Sequence, residues 1–230
     1  LVCPTSAGAV VAVDIATRTL LWGFQYNQSS GNDQRQGPVF FPRQMQMLQP
    51  KQIGQHWVDA TATIHDGRVL ITPIESEEMF CLDLLSGKLL WPAQKRNDLL
   101  FVATVHQGNA ILVGKNHLLA VKLSDGKPVW ANPVEIPDGG MPSGRGFHTD
   151  SAYYLPTTAQ QLIKVDLEKG SVALKIRTDK ILGNLICHRD EIVSHGVDGL
   201  AVYPMVAPLR ERVAAALEFL VHALEHAETE

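Results

Sequence analysis

Four histidines recur at one place in the pattern of this 230-residue chain. His65, His106, His148 and His188 each stand four residues before an apolar residue: Val69, Ala110, Ala152 and Ile192. Imidazoles titrate near neutrality and ligate transition metals, so a ring of four is a weak candidate for a metal or pH-sensing set. The alternative is that each caps its own tight turn. Glu75, Glu77 and Glu78 form an acidic cluster, either a cation site or a solvated surface. Arg145 sits in the glycine-rich run 137–146, whose amides could approach an anion. No helix pattern follows that run, and the phosphate-loop and dinucleotide spacings are absent, so a plain flexible loop is the other reading. Cys3, Cys81 and Cys187 lie in apolar stretches and read as small buried hydrophobes, since no spacing supports a disulfide or metal site. The sequence contains no Gly-x-Ser-x-Gly, His-Glu-x-x-His or Cys-x-x-Cys.

The elements that must position these residues come from a repeat. Cys81-Leu82-Asp83-Leu84-Leu85-Ser86-Gly87-Lys88-Leu89-Leu90-Trp91 reads as strand, tight turn, strand. The stretches 12–22, 120–130 and 164–174 return it in the same register. Eight positions separate Asp14 from Trp22, Asp83 from Trp91, Lys122 from Trp130, and Asp166 from Leu174. The acidic side chain can accept hydrogen bonds from the turn's amides. Gly87, Gly126 and Gly170 supply a positive φ, whereas Arg18 breaks the pattern and predicts a different or strained first turn. A large ring at the Trp position can cover the neighbouring unit.

The copies begin at 14, 83, 122 and 166, intervals of 69, 39 and 44 residues. Two intervals lie near the ~40-residue period of a four-stranded propeller blade, and the first is one blade plus an insertion. The Ala-x-Asp-x-x-x-Gly-x-x-x-Trp pattern resembles the β-propeller repeat of pyrroloquinoline-quinone enzymes. It equally resembles their non-catalytic relatives, including the outer-membrane-protein assembly lipoprotein. The expected fold class is therefore all-β, four to five antiparallel blades of a seven- or eight-bladed ring, over residues 1–205.

Taken in order, 1–4, 9–14 and 19–26 are three strands of a blade whose first strand is absent. Residues 27–55 are a polar, turn-rich insertion in which 40–48 reads as a short helix. Inner strands are expected over 56–65 and 99–105, with fourth strands over 88–92 and 128–134. A blade spans 136–177. A fifth begins over 181–188, 192–195 and 199–203, with Tyr203 at the turn-acid position and no fourth strand. Leu209, Val213, Leu217, Leu220 and Leu224 then make the apolar stripe of an amphipathic helix within 206–230. The chain starts mid-blade without Met and ends one strand short, so it reads as a piece of a longer protein.

The resemblance places long fourth-to-first-strand loops on the ligand face. His56, Trp57, Asp59 and Arg145 are then the binding-face candidates. A quinone-dependent dehydrogenase would need calcium, an acidic base and flat walls around the cofactor. The family's adjacent Cys pair is missing, and Asp59 and Asp150 are the nearest base candidates. The preferred reading is a scaffold without cofactor that binds other proteins through loops and open edge strands, beside the parent chain's remaining blades. The alternatives are part of a pyrroloquinoline-quinone and calcium enzyme, or a ligand sensor coupled to a helical region. A net charge of −4 argues against a nucleic-acid surface. No apolar run reaches the ~18 residues of a membrane span. The resemblance implies a bacterial periplasmic or envelope location.

Overall fold

The computed structural model describes residues 1–5, 7–26, 56–189, 191–197, 199–205 and 209–218. The 27–55 insertion, with its expected short helix, lies outside the described residues. Five antiparallel sheets are distributed over two compact units, Leu1–Pro137 and Asp138–Glu230.

The first unit holds three sheets, each built in chain order. β1 (Val2–Pro4), β2 (Ala9–Asp14) and β3 (Thr19–Gln25) form the first. β4 (Thr63–His65), β5 (Arg68–Ile71), β6 (Glu78–Asp83) and β7 (Gln94–Lys95) form the second. β8 (Leu99–His106), β9 (Asn109–Gly114), β10 (His117–Lys122) and β11 (Val134–Glu135) form the third. β6 explains the stacking. Its consecutive residues Met79, Phe80, Cys81 and Leu82 are all buried. Phe80 and Leu82 join Val10, Trp22 and Tyr26 in one apolar cluster, while Met79 and Cys81 join Trp57 and Trp91 in another. A strand covered on both faces needs an unbroken apolar run, which this sequence supplies.

The repeat turns form as the acid positions require. Asp14 Oδ1 accepts the amides of Ala16 and Thr17 at 2.8 and 3.2 Å. Asp83 Oδ1 accepts those of Leu85 and Ser86 at 3.2 and 2.7 Å, and Asp166 Oδ1 those of Glu168 and Lys169 at 3.0 and 2.9 Å. Where Lys122 replaces the acid, Asp125 accepts the Lys127 amide from within the turn at 3.0 Å. The turn's last residue is left-handed in every copy: Arg18 at φ 57°, Gly87 at 66°, Gly126 at 72° and Gly170 at 62°. Arg18 thus makes the same turn as the glycines, at a steric cost of about 1–2 kcal/mol. A bulge follows in β3, where Leu20 pairs with Val13 and Trp22 with Ala12. The extra residue exposes Leu20 and Leu21 together and turns Trp22 inward.

Two expected elements are shorter. The ladder of 88–92 is one bridge, Leu82 to Leu89, and that of 128–134 is Val121 to Pro128, before pairing resumes at β7 and β11. Pro92 and Pro133 have no N–H to continue it. Residues 56–62 make no strand either. The Val58 amide donates to Leu100 O of the third sheet at 2.9 Å, and Asp59 Oδ1 accepts the Thr61 amide at 2.8 Å.

In the second unit, β12 (Phe147–His148), β13 (Ala152–Thr157), β14 (Gln161–Asp166) and β15 (Ser171–Arg177) form one sheet. β16 (Asn184–His188), β17 (Glu191–Gly196) and β18 (Gly199–Pro204) form the other. Glu191 pairs with Pro204 as Arg68 pairs with Asp83. Pro204, not Tyr203, therefore occupies the turn-acid position. A helix, α1, spans 209–218, and Leu209, Val213 and Leu217 on it are exposed. The rest of the expected helical stripe lies outside the described residues.

Candidate functional site

The segment leading into β4 and the loop between β5 and β6 meet at one end of the second sheet. The Trp57 indole N–H donates to Glu78 O at 3.3 Å, and the Thr72 hydroxyl donates to Asp59 O at 2.9 Å. Trp57 is 1% exposed, so its ring belongs to the core and not to a binding surface. That corrects the expectation of Trp57 as a binding-face residue: the indole packs in the cluster shared by the second and third sheets and satisfies its N–H internally. His56 remains half-exposed, with Nδ1 4.0 Å from Glu77 Oε1. Val58 is exposed beside it.

Two carboxylates of the acidic cluster, Glu75 and Glu77, anchor the loop. Arg96 is almost fully buried and donates through Nε and Nη2 to Glu77 Oε2 at 3.0 and 2.9 Å, and through Nη1 to Leu99 O at 3.0 Å. The Tyr26 hydroxyl donates to Glu75 Oε1 at 2.6 Å, and burial with that carboxylate pushes the phenol's pKa up. Arg96 escaped the sequence reading, because nothing in a lone Arg before a strand marks it as an ion-pair partner 19 residues from Glu77.

Arg145 lies in the second unit. Its amide donates to Asn184 Oδ1 at 2.8 Å, and its carbonyl accepts the Leu185 amide at 2.7 Å. The glycines around it serve packing rather than an anion cradle. A Cβ at Gly144 would collide with the Gly183 backbone, and one at Gly146 with Tyr154 O. Two backbones cross where side chains cannot fit.

His65, His106 and His188 each end a strand before a two-residue turn, pairing with Arg68, Asn109 and Glu191. His148 pairs with Tyr153 across a longer turn. The left-handed backbones of Asp66, Gly67, Gln107 and Gly108 make the turns in the first unit. His65, His148 and His188 are exposed, and His106 Nε2 is buried without a partner. Among the described residues no three His, Cys, Asp or Glu side chains converge. The turn carboxylates face their own amides. Those amides hold Asp14, Asp125 and Asp166 below the usual carboxylate range, and the Ser86 hydroxyl and amide do the same for Asp83.

The recurrent indoles have a different task. Trp22 Nε1 donates to Leu84 O at 2.8 Å, and Trp91 Nε1 to Leu123 O at 3.1 Å. Each Trp thus reaches the residue after the turn-acid position of the next sheet. Residues 6–180 match the family described as outer membrane protein assembly factor BamB. The chain belongs to this family.

Its fold is that of a partial β-propeller, as in the BamB family. BamB from Moraxella catarrhalis superposes with a TM-score of 0.58 at 19% identity, covering 88% of this chain and 54% of that one. The chain thus spans about half the length of that relative. The computationally designed proteins Ika4 and Ika8 each superpose at 0.50 with 11% identity over 64% of this chain, covering 90% and 45% of their own. At these identities the likeness concerns the fold. No curated protein matches the chain. Among the described residues no helix is long and apolar enough to cross a membrane.

Proposed function

We propose that this chain is a non-catalytic arc of a BamB-family propeller that presents loops to protein partners during assembly in the bacterial envelope. One observation carries the reading: the residues that repeat are committed to holding sheets together. Asp14, Asp83 and Asp166 serve their own turns, and Trp22 and Trp91 serve the next sheet. Variable loops and strand edges then carry recognition, as loops on rigid scaffolds commonly do. The end of the second sheet around His56 and Val58 is the proposed contact, with the 27–55 insertion beside it in sequence.

The test pairs two measurements. A photo-crosslinking residue is placed at Val58, and a control at Ile64, which is also exposed, in cells expressing the envelope assembly machinery. Crosslinks to that machinery from Val58 and none from Ile64 support the reading. Calorimetric titration with pyrroloquinoline quinone and Ca²⁺ follows; saturable binding at one site would replace this reading with a quinoprotein.

A further inference from the structure

The fourth and fifth sheets contain a hollow where the first and second are filled. Register fixes the correspondence. Thr178 donates its amide to Gln160 O as Tyr26 does to Gly8 O. Leu162 therefore matches Val10, Lys164 matches Ala12, and Leu174 matches Trp22. On the facing sheet Tyr203 matches Leu82, Ala201 matches Phe80, and Met205 matches Leu84. In the first unit the space is occupied by Trp22, Tyr26 and Phe80. In the second, Leu174, Thr178 and Ala201 stand at those positions. What remains is a cavity of about 520 Å³.

We propose that this cavity binds a small planar aromatic acid carrying an N–H donor, of the indole-carboxylate class. Three observations converge. The walls are apolar, with Leu162, Leu182 and Ile192 buried and the Tyr154 and Tyr203 rings beside them. By register the carbonyl of Met205, a lining residue, corresponds to those of Leu84 and Leu123, which both take an indole N–H. Met205 O accepts the Leu209 amide at 3.0 Å, and a carbonyl oxygen has a second lone pair to offer. The charge is complementary, because Lys164 and Arg177 line the cavity while Asp179 is engaged by the Tyr203 hydroxyl at 2.8 Å. Lys164 replaces an alanine of the filled copy, with its ammonium 5.8 Å from the Tyr154 ring centre. The volume suits a bicyclic ligand, since small-molecule pockets run from about 300 to 1,000 Å³.

The experiment is ¹⁹F NMR of 5-fluoroindole-3-acetate with the full chain, with calorimetry for affinity. Saturable one-site binding is expected. Leu174→Trp rebuilds the filled copy and should weaken binding at least tenfold while raising Tm. Lys164→Gln should weaken indole-3-acetate several-fold and leave neutral indole unchanged. No saturable binding by the folded chain, or unchanged affinity in Leu174→Trp, overturns the proposal. Tighter binding of a peptide with an internal tryptophan than of the free acid overturns the small-molecule assignment. If Leu174→Trp does not fold, Thr178→Tyr fills the same hollow and is read the same way.

Discussion

The indole of Trp22 lies across the backbone of Gly87. A Cβ at Gly87 would fall 2.5 Å from the ring, while the indole N–H reaches Leu84 O three residues earlier. Trp91 repeats the arrangement on Gly126, where a Cβ would fall 3.0 Å from the ring. Gly87 and Gly126 therefore each answer two demands, a left-handed backbone and an open seat for the ring of the preceding sheet.

Those two demands can be separated. Gly67 is also left-handed, but a Cβ there meets nothing within 4 Å. Gly67→Ala should cost about 1–2 kcal/mol, the penalty of the backbone alone. Gly87→Ala should cost clearly more, because Trp22 must also move. Urea denaturation of the two variants decides; equal losses would remove the seating role.

Trp91→Ala should destabilise by about 3–5 kcal/mol, the range for truncating a buried large aromatic side chain. Trp91→Phe keeps most of the ring and leaves Leu123 O without its indole donor, and should cost less. A Trp91→Ala loss below about 1 kcal/mol would contradict the docking role.

Arg18→Gly should stabilise the chain by about 1 kcal/mol, because Arg18 holds φ 57° in an exposed turn. The gain is read as a higher denaturation midpoint at constant slope. No gain would mean that Arg18 makes compensating contacts.

The turn carboxylates predict acid sensitivity. Their folded pKa values lie below the ordinary value near 3.8, so their stabilisation is present above that pH and is lost as pH falls through the folded values. Asp83→Asn should lower Tm at pH 7, and the gap to the parent should close as pH drops below about 4. A gap independent of pH would assign the effect to turn geometry alone.

Thiol labelling separates Cys187 from Cys81. Cys187 is exposed, whereas Cys81 is buried and burial pushes its thiol to about 11. At pH 8 Cys187 should react with a maleimide within minutes, and Cys81 only after denaturant is added. Fast labelling of Cys81 in the native chain would mean that the interface of the second and third sheets opens.

The repeat, and with it the propeller, was legible in the sequence. Apolar strands, an acid and glycine in fixed register and a Trp eight positions on are local demands, and each leaves its own residues behind. Arg18 marked the first turn as different or strained, and the turn is the same one with a left-handed arginine. The sequence could not say where Trp57 points, because an aromatic residue before a strand suits a pocket or a core equally. Only packing against Leu70, Cys81 and Trp91 made it core. The Arg96–Glu77 pair and the hollow at Leu174 are likewise tertiary facts. Both depend on which residues face each other across sheets, and that pairing is set by stacking and register, which no single strand encodes.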